Sequence, residues 1–308
     1  MITNFDTNKV YLAKGMTSEM YVNATGHLLG TLHNHKISWS FLPLTASPLH
    51  IWVRDYMPVQ VSKEKLVRFN YSPDYLKDNP EYKPDTSAIL SALGIHVINS
   101  DIIVDGGNVI SCSKKVIMTD KIFRENPHYN HEVLIDTLEQ LLEAEIVLIP
   151  EDYYDEYGHA DGMVRYMGEG RVLLNNYCDF DKALRKRLLA ALNPHFDITE
   201  LHYGTYTDKS WAYINFLHVG HHILFPMMDD KLGETAFRQI ADAFPKCKCH
   251  PVYHYENIIR EGGALNCSTW NMLVDLPEEE NSKEIPTIGQ KKSMCQRLSS
   301  HSGLTCRD

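Results

Sequence analysis

Apolar residues recur every three or four positions in three segments of the chain, the pattern of helices with one buried face. The pattern predicts helices over 131–144, 181–192 and 233–244. Asn130 and Asp230 stand where a side chain commonly caps the first turn. The predicted buried faces consist of Val133, Leu134, Leu138, Leu141 and Leu142; of Leu184, Leu188, Leu189 and Leu192; and of Ala236, Phe237, Ile240 and Phe244.

Short runs of β-branched residues alternate with these helices and with a weaker helix predicted over 86–93, which Gly94 ends. Strand, helix and strand follow one another in the same order each time, with a period near fifty residues. One set of predicted strands covers 95–98, 145–148, 197–200 and 249–252, and a second set begins at Val59, Val116, Val172, Ile223 and Met272.

A period of this length is typical of repeat architectures. Five such units predict an α/β fold closed as a ring, with residues 1–277 as a single domain. No sequence identity links the units, and an ordinary α/β sheet would also alternate strands with helices. Residues 278–308 open with acidic and polar side chains and contain few large apolar ones, which predicts a polar tail.

Charge and cysteine content narrow the function classes. The 308 residues include 30 Lys and Arg against 40 Asp and Glu; the net charge of −10 argues against a general nucleic-acid binder and is compatible with cationic substrates. No apolar run approaches the roughly 18 residues of a membrane span, and the first residues do not resemble a signal peptide. Seven dispersed cysteines favour free thiols, so we expect a cytoplasmic protein with no membrane partner.

The least ordinary local sequences stand before the second set of strands. They are Trp52-Val53-Arg54-Asp55, Asp105-Gly106-Gly107-Asn108, Gly158-His159-Ala160-Asp161-Gly162, Ser210-Trp211-Ala212-Tyr213-Ile214-Asn215-Phe216 and Glu261-Gly262-Gly263-Ala264-Leu265-Asn266-Cys267. Steps of 50, 54, 56 and 52 residues separate Asp55, Asp105, His159, Asn215 and Cys267. Equivalent turns meet at one end of a ring of repeats, so we expect these side chains to converge at one mouth.

The residue types at this mouth suit attack on a cationic carbon. A thiol attacks as thiolate and needs a nearby base or cation, and an imidazole can act first as an acid and then as a base. Two carboxylates in one pocket repel each other unless a cation lies between them, and the edges of a guanidinium match carboxylates. Each of these residues alone is more simply structural; their joint placement favours a guanidinium substrate.

These motifs resemble those of the guanidine-modifying enzymes of the pentein fold, most closely the agmatine deiminases and bacterial peptidyl-arginine deiminases. The resemblance runs from about Leu42 to Asp275. It rests on six pieces in the family's order: Trp52-Val53-Arg54-Asp55-Tyr56-Met57-Pro58, Asp105-Gly106-Gly107-Asn108, Arg124-Glu125-Asn126-Pro127, Gly158-His159-Ala160-Asp161, Tyr213-Ile214-Asn215-Phe216 and Gly262-Gly263-Ala264-Leu265-Asn266-Cys267-Ser268-Thr269.

The resemblance implies a five-unit α/β propeller and a deiminase that hydrolyses a guanidinium to a ureide and ammonia. It implies that Cys267 is the nucleophile and His159 the general acid and base. Asp55 and Asp161 would hold the guanidinium. A thiouronium adduct on Cys267 would be the covalent intermediate.

Three further residues are substrate-binding candidates by the same resemblance. Asp105 falls where relatives carry a carboxylate before two glycines, and Trp52 and Arg54 stand beside the first aspartate of the site. No cofactor or metal is expected, and the absence of an EF-hand sequence gives no reason to expect calcium dependence. The substrate stays open among agmatine, arginine, peptidyl arginine and other guanidines, and a homo-oligomer is possible.

Other functions fit part of the pattern. An amidinotransferase would pass the same adduct to an amine, and a non-catalytic pentein would bind a partner without chemistry. A papain-like protease usually has its cysteine before its histidine, the reverse of the order here. A zinc site is a further alternative, formed by Cys247, Cys249, His250 and His254. Zinc sites, however, usually separate their cysteines by two to four residues.

Overall fold

The computed structural model describes residues 1–228 and 231–276. The strands are β1 (Lys9–Ala13), β2 (Ser38–Leu42), β3 (Val59–Gln60), β4 (Leu66–Asn70), β5 (Ile98–Ile103), β6 (Ile110–Cys112), β7 (Lys115–Thr119), β8 (Glu145–Ile149), β9 (Val164–Gly168), β10 (Arg171–Leu174), β11 (Asp197–Glu200), β12 (Leu217–Val219), β13 (His222–Pro226), β14 (Lys248–Val252) and β15 (Thr269–Met272). The helices are α1 (Val22–Asn34), α2 (Val53–Tyr56), α3 (Thr86–Leu93), α4 (Lys121–Glu125), α5 (His131–Leu142), α6 (Tyr177–Phe180), α7 (Lys182–Leu192), α8 (Ser210–Ile214), α9 (Lys231–Ala243) and α10 (Glu256–Arg260).

The strands form five three-stranded sheets of one design. Their orders are β15-β1-β2, β3-β4-β5, β6-β7-β8, β9-β10-β11 and β12-β13-β14. In each sheet the middle strand pairs antiparallel with the strand before it and parallel with the strand after it. The longer helices α1, α3, α5, α7 and α9 connect the two parallel strands, as such a crossover requires. The five-unit α/β arrangement predicted from the period is confirmed.

The first sheet joins the two ends of the described chain. β15 lies antiparallel to β1, with Thr269 opposite Leu12. Just outside this pair, the side-chain amide of Asn8 donates to the carbonyl of Val274 (2.8 Å) and accepts from its N–H (2.9 Å). One unit is therefore built from both ends of the sequence, which closes the ring.

The four predicted helices are present as α3, α5, α7 and α9. Gly94 ends α3 in the left-handed conformation, with φ of 66°, which glycine adopts without strain. Asn130 caps α5 by accepting hydrogen bonds from the N–H groups of residues 132 and 133. Val133, predicted to be buried, is 53% exposed. Asp230, the predicted cap of α9, and the predicted tail at 278–308 lie outside the described residues.

Two details of the strand prediction were wrong. The strand expected at 95–98 begins instead at Ile98, because the N–H of Ile95 bonds back to Leu90 and residue 95 still belongs to the helix end. The second set of predicted strands also combined strands that occupy two different positions in their sheets. Val59 and Met272 lie in the first strand of their sheets, whereas Val116, Val172 and Ile223 lie in the middle strand.

The apolar core lies within and between the units, and the buried polar residues lie elsewhere. The leucines of α5, for example, pack with Val116 and Met118 of β7. Buried polar side chains concentrate in the turns that precede the first strand of each sheet. Within the described residues, no helix has the length and apolar character needed to cross a bilayer.

Candidate active site

The five turns that precede the first strands meet at one end of the ring. Each one contacts the next, and the last contacts the first. Round the ring, the N–H of Gly107 donates to Asp55 (2.9 Å), the N–H of Ala160 donates to Asn108 (3.3 Å), and the turn Ala160–Gly162 contacts α8. The N–H of Asn266 then donates to the carbonyl of Asn215 (3.0 Å), and the N–H of Arg54 donates to the carbonyl of Cys267 (3.1 Å). The convergence expected from the sequence spacing is present in the structure.

Gly107 marks the point where three polar side chains come together. An ideal Cβ at this position would lie 2.7 Å from Asp55 Oδ1, 2.8 Å from His159 Nδ1 and 3.4 Å from Asp161 Oδ2. No side chain larger than hydrogen fits there without moving them. The second glycine of the Asp-Gly-Gly-Asn turn is therefore needed for close approach, not for an unusual backbone angle.

His159 is held between two carboxylates. Its Nε2 lies 2.8 Å from Asp105 Oδ2, and its Nδ1 lies 3.7 Å from Asp55 Oδ1. Burial and the nearby charge of Lys121 both oppose protonation of the ring, but the two carboxylates outweigh them and raise the pKa of His159 to about 9. The resting imidazole is therefore protonated at neutral pH and can serve as an acid.

The negative charge of Asp105 is balanced by Lys121, a residue that was not among those predicted from the sequence. Lys121 is fully buried, with Nζ 2.8 Å from Asp105 Oδ2 and 3.1 Å from Glu125 Oε1. Burial favours the neutral form of Asp105, but the contacts with His159 and Lys121 lower the pKa of its carboxyl. The only signal in the sequence was position: Lys121 begins the helix that carries the Arg124-Glu125-Asn126-Pro127 motif.

Cys267 lies beside Asp161 and Asn215. Its Sγ is 3.5 Å from Asp161 Oδ2 and 3.2 Å from Asn215 Oδ1, and its N–H also donates to that amide oxygen (3.3 Å). Burial and the carboxylates of Asp161 and Asp55 raise the pKa of the thiol well above its usual range. Burial is also the main reason that the pKa of Asp55 is raised to about 7. The unliganded thiol is therefore neutral at physiological pH.

Two cavities reach His159 and Cys267. The smaller, of about 280 Å³, is lined by five Trp and Tyr rings, those of Trp52, Tyr71, Tyr75, Tyr82 and Tyr157. The larger, of about 660 Å³, has aromatic and acidic walls that include Tyr177, Tyr206, Trp211, Asp152 and Asp208. Among the described residues that line them, neither cavity has a lysine or an arginine.

The structure separates the remaining predicted substrate-binding residues. Trp52 lines the smaller cavity, where its ring covers Gly263 so closely that a Cβ there would collide with it. Arg54 lines neither cavity. Its guanidinium turns away to the carbonyl of Asn266 (3.4 Å) and the side chain of Asn271, where it supports the turn that carries Cys267. The prediction that Arg54 binds substrate is therefore not supported by its position.

Asp105 also lines neither cavity, because its carboxylate is fully buried behind His159.

The residues considered for zinc also line neither cavity. His250 stacks on His35 and contacts His222 (3.0 Å). In the part of the chain that the structure describes, Cys247 and Cys249 belong to no group of three converging ligand atoms.

Comparison with known families identifies this arrangement. The sequence model of the Porphyromonas-type peptidyl-arginine deiminases matches residues 6–272, which includes all five turns of the site. The chain belongs to this family. It is accordingly a deiminase, a hydrolase that acts on carbon–nitrogen bonds.

Solved structures give the same fold. An agmatine deiminase of C. jejuni with substrate bound has a TM-score of 0.71 at 15% identity, covering 90% of this chain and 96% of its own. An agmatine deiminase of Enterococcus faecalis has a TM-score of 0.66 at 16% identity, covering 88% and 94%. The N-terminal domain of a cyanobacterial arginine dihydrolase has a TM-score of 0.59 at 13% identity, covering 87% and 98%. A search of curated proteins gives no match.

The deiminase fold of this chain is therefore the pentein fold that the sequence resemblance implied. At these identities, the similarity to the solved structures establishes the fold and not the substrate. The match to this chain extends over nearly the whole length of each of those structures. The five-unit ring of this fold explains why the two ends of the described chain meet in one sheet. It also explains why the five turns lie together.

Proposed function

We propose that this deiminase hydrolyses a small guanidino compound to a ureide and ammonia through a thiouronium intermediate on Cys267. The observation that carries the proposal is the meeting of one thiol, one protonated imidazole and two carboxylates, those of Asp55 and Asp161, at the end of the ring. Both cavities reach this point. Among the described residues that line the two cavities there is no lysine or arginine to balance these charges, and a guanidinium supplies a cation.

The substrate activates its own nucleophile. A unit charge about 4 Å from the sulfur, at an effective dielectric constant of ~20, contributes about 4 kcal/mol, or roughly three pKa units. This opposes the rise that burial and the carboxylates impose on the pKa of Cys267. The thiolate therefore forms in the complex, with release of the thiol proton to solvent, and not in the free enzyme.

The first half of the reaction forms the adduct. The Cys267 thiolate attacks the central guanidinium carbon, and a tetrahedral adduct forms on the sulfur. His159, protonated in the resting site, donates a proton to one departing nitrogen, which leaves as ammonia. A thiouronium remains bound to sulfur, and the imidazole is left neutral.

The second half of the reaction uses the same imidazole as a base. His159 takes a proton from a water molecule, which attacks the thiouronium carbon. The new tetrahedral adduct then expels the sulfur as thiolate and loses its hydroxyl proton, which leaves the ureide. The sulfur takes up a proton once the cation has gone, and the resting charges are restored. Overall, one water is consumed and one carbon–nitrogen bond becomes a carbon–oxygen bond, with ammonia as the second product.

The walls of both cavities favour a substrate with no carboxylate near the guanidinium. The α-carboxylate of free arginine would find no lysine or arginine among the described lining residues, and it would meet the acidic side chains of Asp152, Glu156 and Asp208. The aromatic rings of the smaller cavity suit an aliphatic chain. Agmatine-type compounds and arginine residues with a blocked carboxylate therefore fit better than free arginine.

An ammonia-release assay across a panel of guanidines tests the proposal. The panel contains agmatine, arginine, arginine amide and a short arginine peptide, with Cys267→Ser and His159→Gln as inactive controls. We expect turnover of at least one compound that lacks a free α-carboxylate, at higher kcat/KM than arginine. The proposed function would be rejected if Cys267→Ser released ammonia. It would also be rejected if the wild type released ammonia from none of the guanidines.

A further inference from the structure

Lys121 is a buried charge whose position a stability role alone does not explain. Its side chain has no exposed surface, and its Nζ contacts Asp105 Oδ2, the same oxygen atom that His159 Nε2 contacts. The distance from Nζ to Nε2 is only 3.5 Å. Burying an ammonium is costly unless it is well paired, and placing it against an imidazolium adds repulsion.

The surroundings of Lys121 keep it charged. Burial favours the neutral amine, but Asp105 and Glu125 outweigh this and raise its pKa. The ring of Tyr75 lies 4.9 Å below Nζ and donates its hydroxyl to Asp105 Oδ2 (3.2 Å). The ammonium therefore contacts Asp105, Glu125 and Tyr75 while it lies beside His159.

We propose that Lys121 is a positioning residue that keeps His159 able to release its proton, so that the same imidazole can act as an acid in the first half of the reaction and as a base in the second. The proposal rests on the proposed function, since only a reaction with both halves needs an imidazole that changes state. It assigns a role to the lysine through Asp105 and His159, without contact with substrate.

The charges that face His159 explain why a cation is needed there. Carboxylates on turns and loops and on helix α4 approach it, and burial and the positive charge of Lys121 oppose their pull on the proton. The groups that face the imidazole are the carboxylates of Asp55, Asp105, Asp155, Asp161 and Glu125, the rings of Tyr75 and Tyr157, and the ammonium of Lys121.

Without Lys121, this carboxylate shell would hold the proton on His159 more tightly, and each added pKa unit would lower the neutral fraction of the ring about tenfold at neutral pH. Once ammonia has left, a ring of higher pKa would therefore be available less often to accept a proton from water. Hydrolysis of the thiouronium would then slow more than its formation. Loss of the lysine therefore predicts an enzyme that stalls as the adduct.

The test compares Lys121→Met, which removes the charge at similar length, with Lys121→Arg, which keeps it. Lys65→Met is the matched control, because Lys65 is ion-paired with Glu143 and lines neither cavity. If Lys121→Met does not fold, the double variant Lys121→Met/Glu125→Gln takes its place in the test, because it removes one charge of each sign.

Two measurements decide the outcome. NMR titration of the His159 ring in the resting protein should show its pKa raised by about one unit or more in Lys121→Met, and unchanged in Lys65→Met. Acid quenching during turnover at pH 7 should trap several-fold more adduct on Cys267 in Lys121→Met, with the acid limb of kcat moved to higher pH and Lys121→Arg close to wild type.

An unchanged His159 titration would overturn the proposal, as would equal slowing of both half-reactions with no adduct accumulating. The titration needs no substrate. If the wild type turned over no guanidine, the proposed function would fail, and the titration would still decide whether Lys121 controls the proton on His159.

Discussion

A methyl group at position 107 tests how closely the active site must keep its geometry. Gly107→Ala would place a Cβ 2.7 Å from Asp55 Oδ1 and 2.8 Å from His159 Nδ1, whereas ordinary contacts begin at 3.4 Å. Both side chains must therefore withdraw from the new methyl by about 0.6 to 0.7 Å. The proposed guanidinium-binding carboxylate and the proposed acid–base imidazole would move apart in one substitution.

The expected loss follows from this displacement. Misplacement of reacting groups by about 1 Å can cost on the order of 10²-fold in rate, so we expect kcat/KM to fall by about that factor. Folding should suffer less, because the atoms that move are the ends of side chains and the backbone at 107 is not in the left-handed region. We expect less than about 2 kcal/mol of lost stability.

The assay is ammonia release with the best guanidine of the panel, together with thermal unfolding of each variant. Gly30→Ala is the matched control, because a Cβ there meets nothing within 4 Å and the residue lies inside α1. It should keep full activity and gain roughly 0.5–1 kcal/mol in stability. Wild-type kcat/KM in Gly107→Ala would refute the argument that these groups work only at their present spacing.

Four further predictions address the thiol, the carboxylates, the intermediate and the ring. Because the pKa of the Cys267 thiol is raised, iodoacetamide should label it slowly at pH 7, at a rate that still increases above pH 9.0. A cationic haloacetamidine should react at least tenfold faster at pH 7, and equal rates for the two reagents would contradict substrate-assisted ionisation. Asp161→Asn should lower kcat/KM by about 10²-fold or more with the fold retained by circular dichroism, since it removes a charged partner of the guanidinium. A hydrolase should form ammonia and ureide in equal amounts without an added amine, whereas an adduct that clears only when an amine is supplied would indicate a transferase. Asn8→Ala should cost about 2 kcal/mol in urea unfolding, because it removes two hydrogen bonds that close the ring, and should leave kcat unchanged.

The candidate site was more predictable from sequence than the strands that support it. The residues with chemistry precede equivalent strands, so a spacing near fifty was enough to bring Asp55, His159 and Cys267 together. The exact strand starts depend on local hydrogen bonds, such as that from Ile95 to Leu90, which no pattern of apolar residues reveals.

Two other features were missed for physical reasons. Helix α1 contains Gly26 and Gly30 with two threonines, so its helix propensity is low, and it forms because Leu28, Leu29 and Leu32 are buried. A buried lysine such as Lys121 is also invisible in a sequence, because lysine is normally exposed and only the folded ring surrounds it with carboxylates.

The charge balance of the site links binding, catalysis and release. In the empty site, burial raises the pKa of Asp55 to about 7 and keeps the Cys267 thiol neutral, so the free enzyme holds protons that a cation would displace. In the proposed reaction, a guanidinium supplies that cation, and its binding therefore favours the ionised carboxylate and the thiolate together. The reaction then removes the charge, because a ureide is neutral and ammonia leaves separately. The carboxylates proposed to bind the substrate would have no such attraction for the product, so the electrostatics that activate the nucleophile would also favour release once hydrolysis is complete.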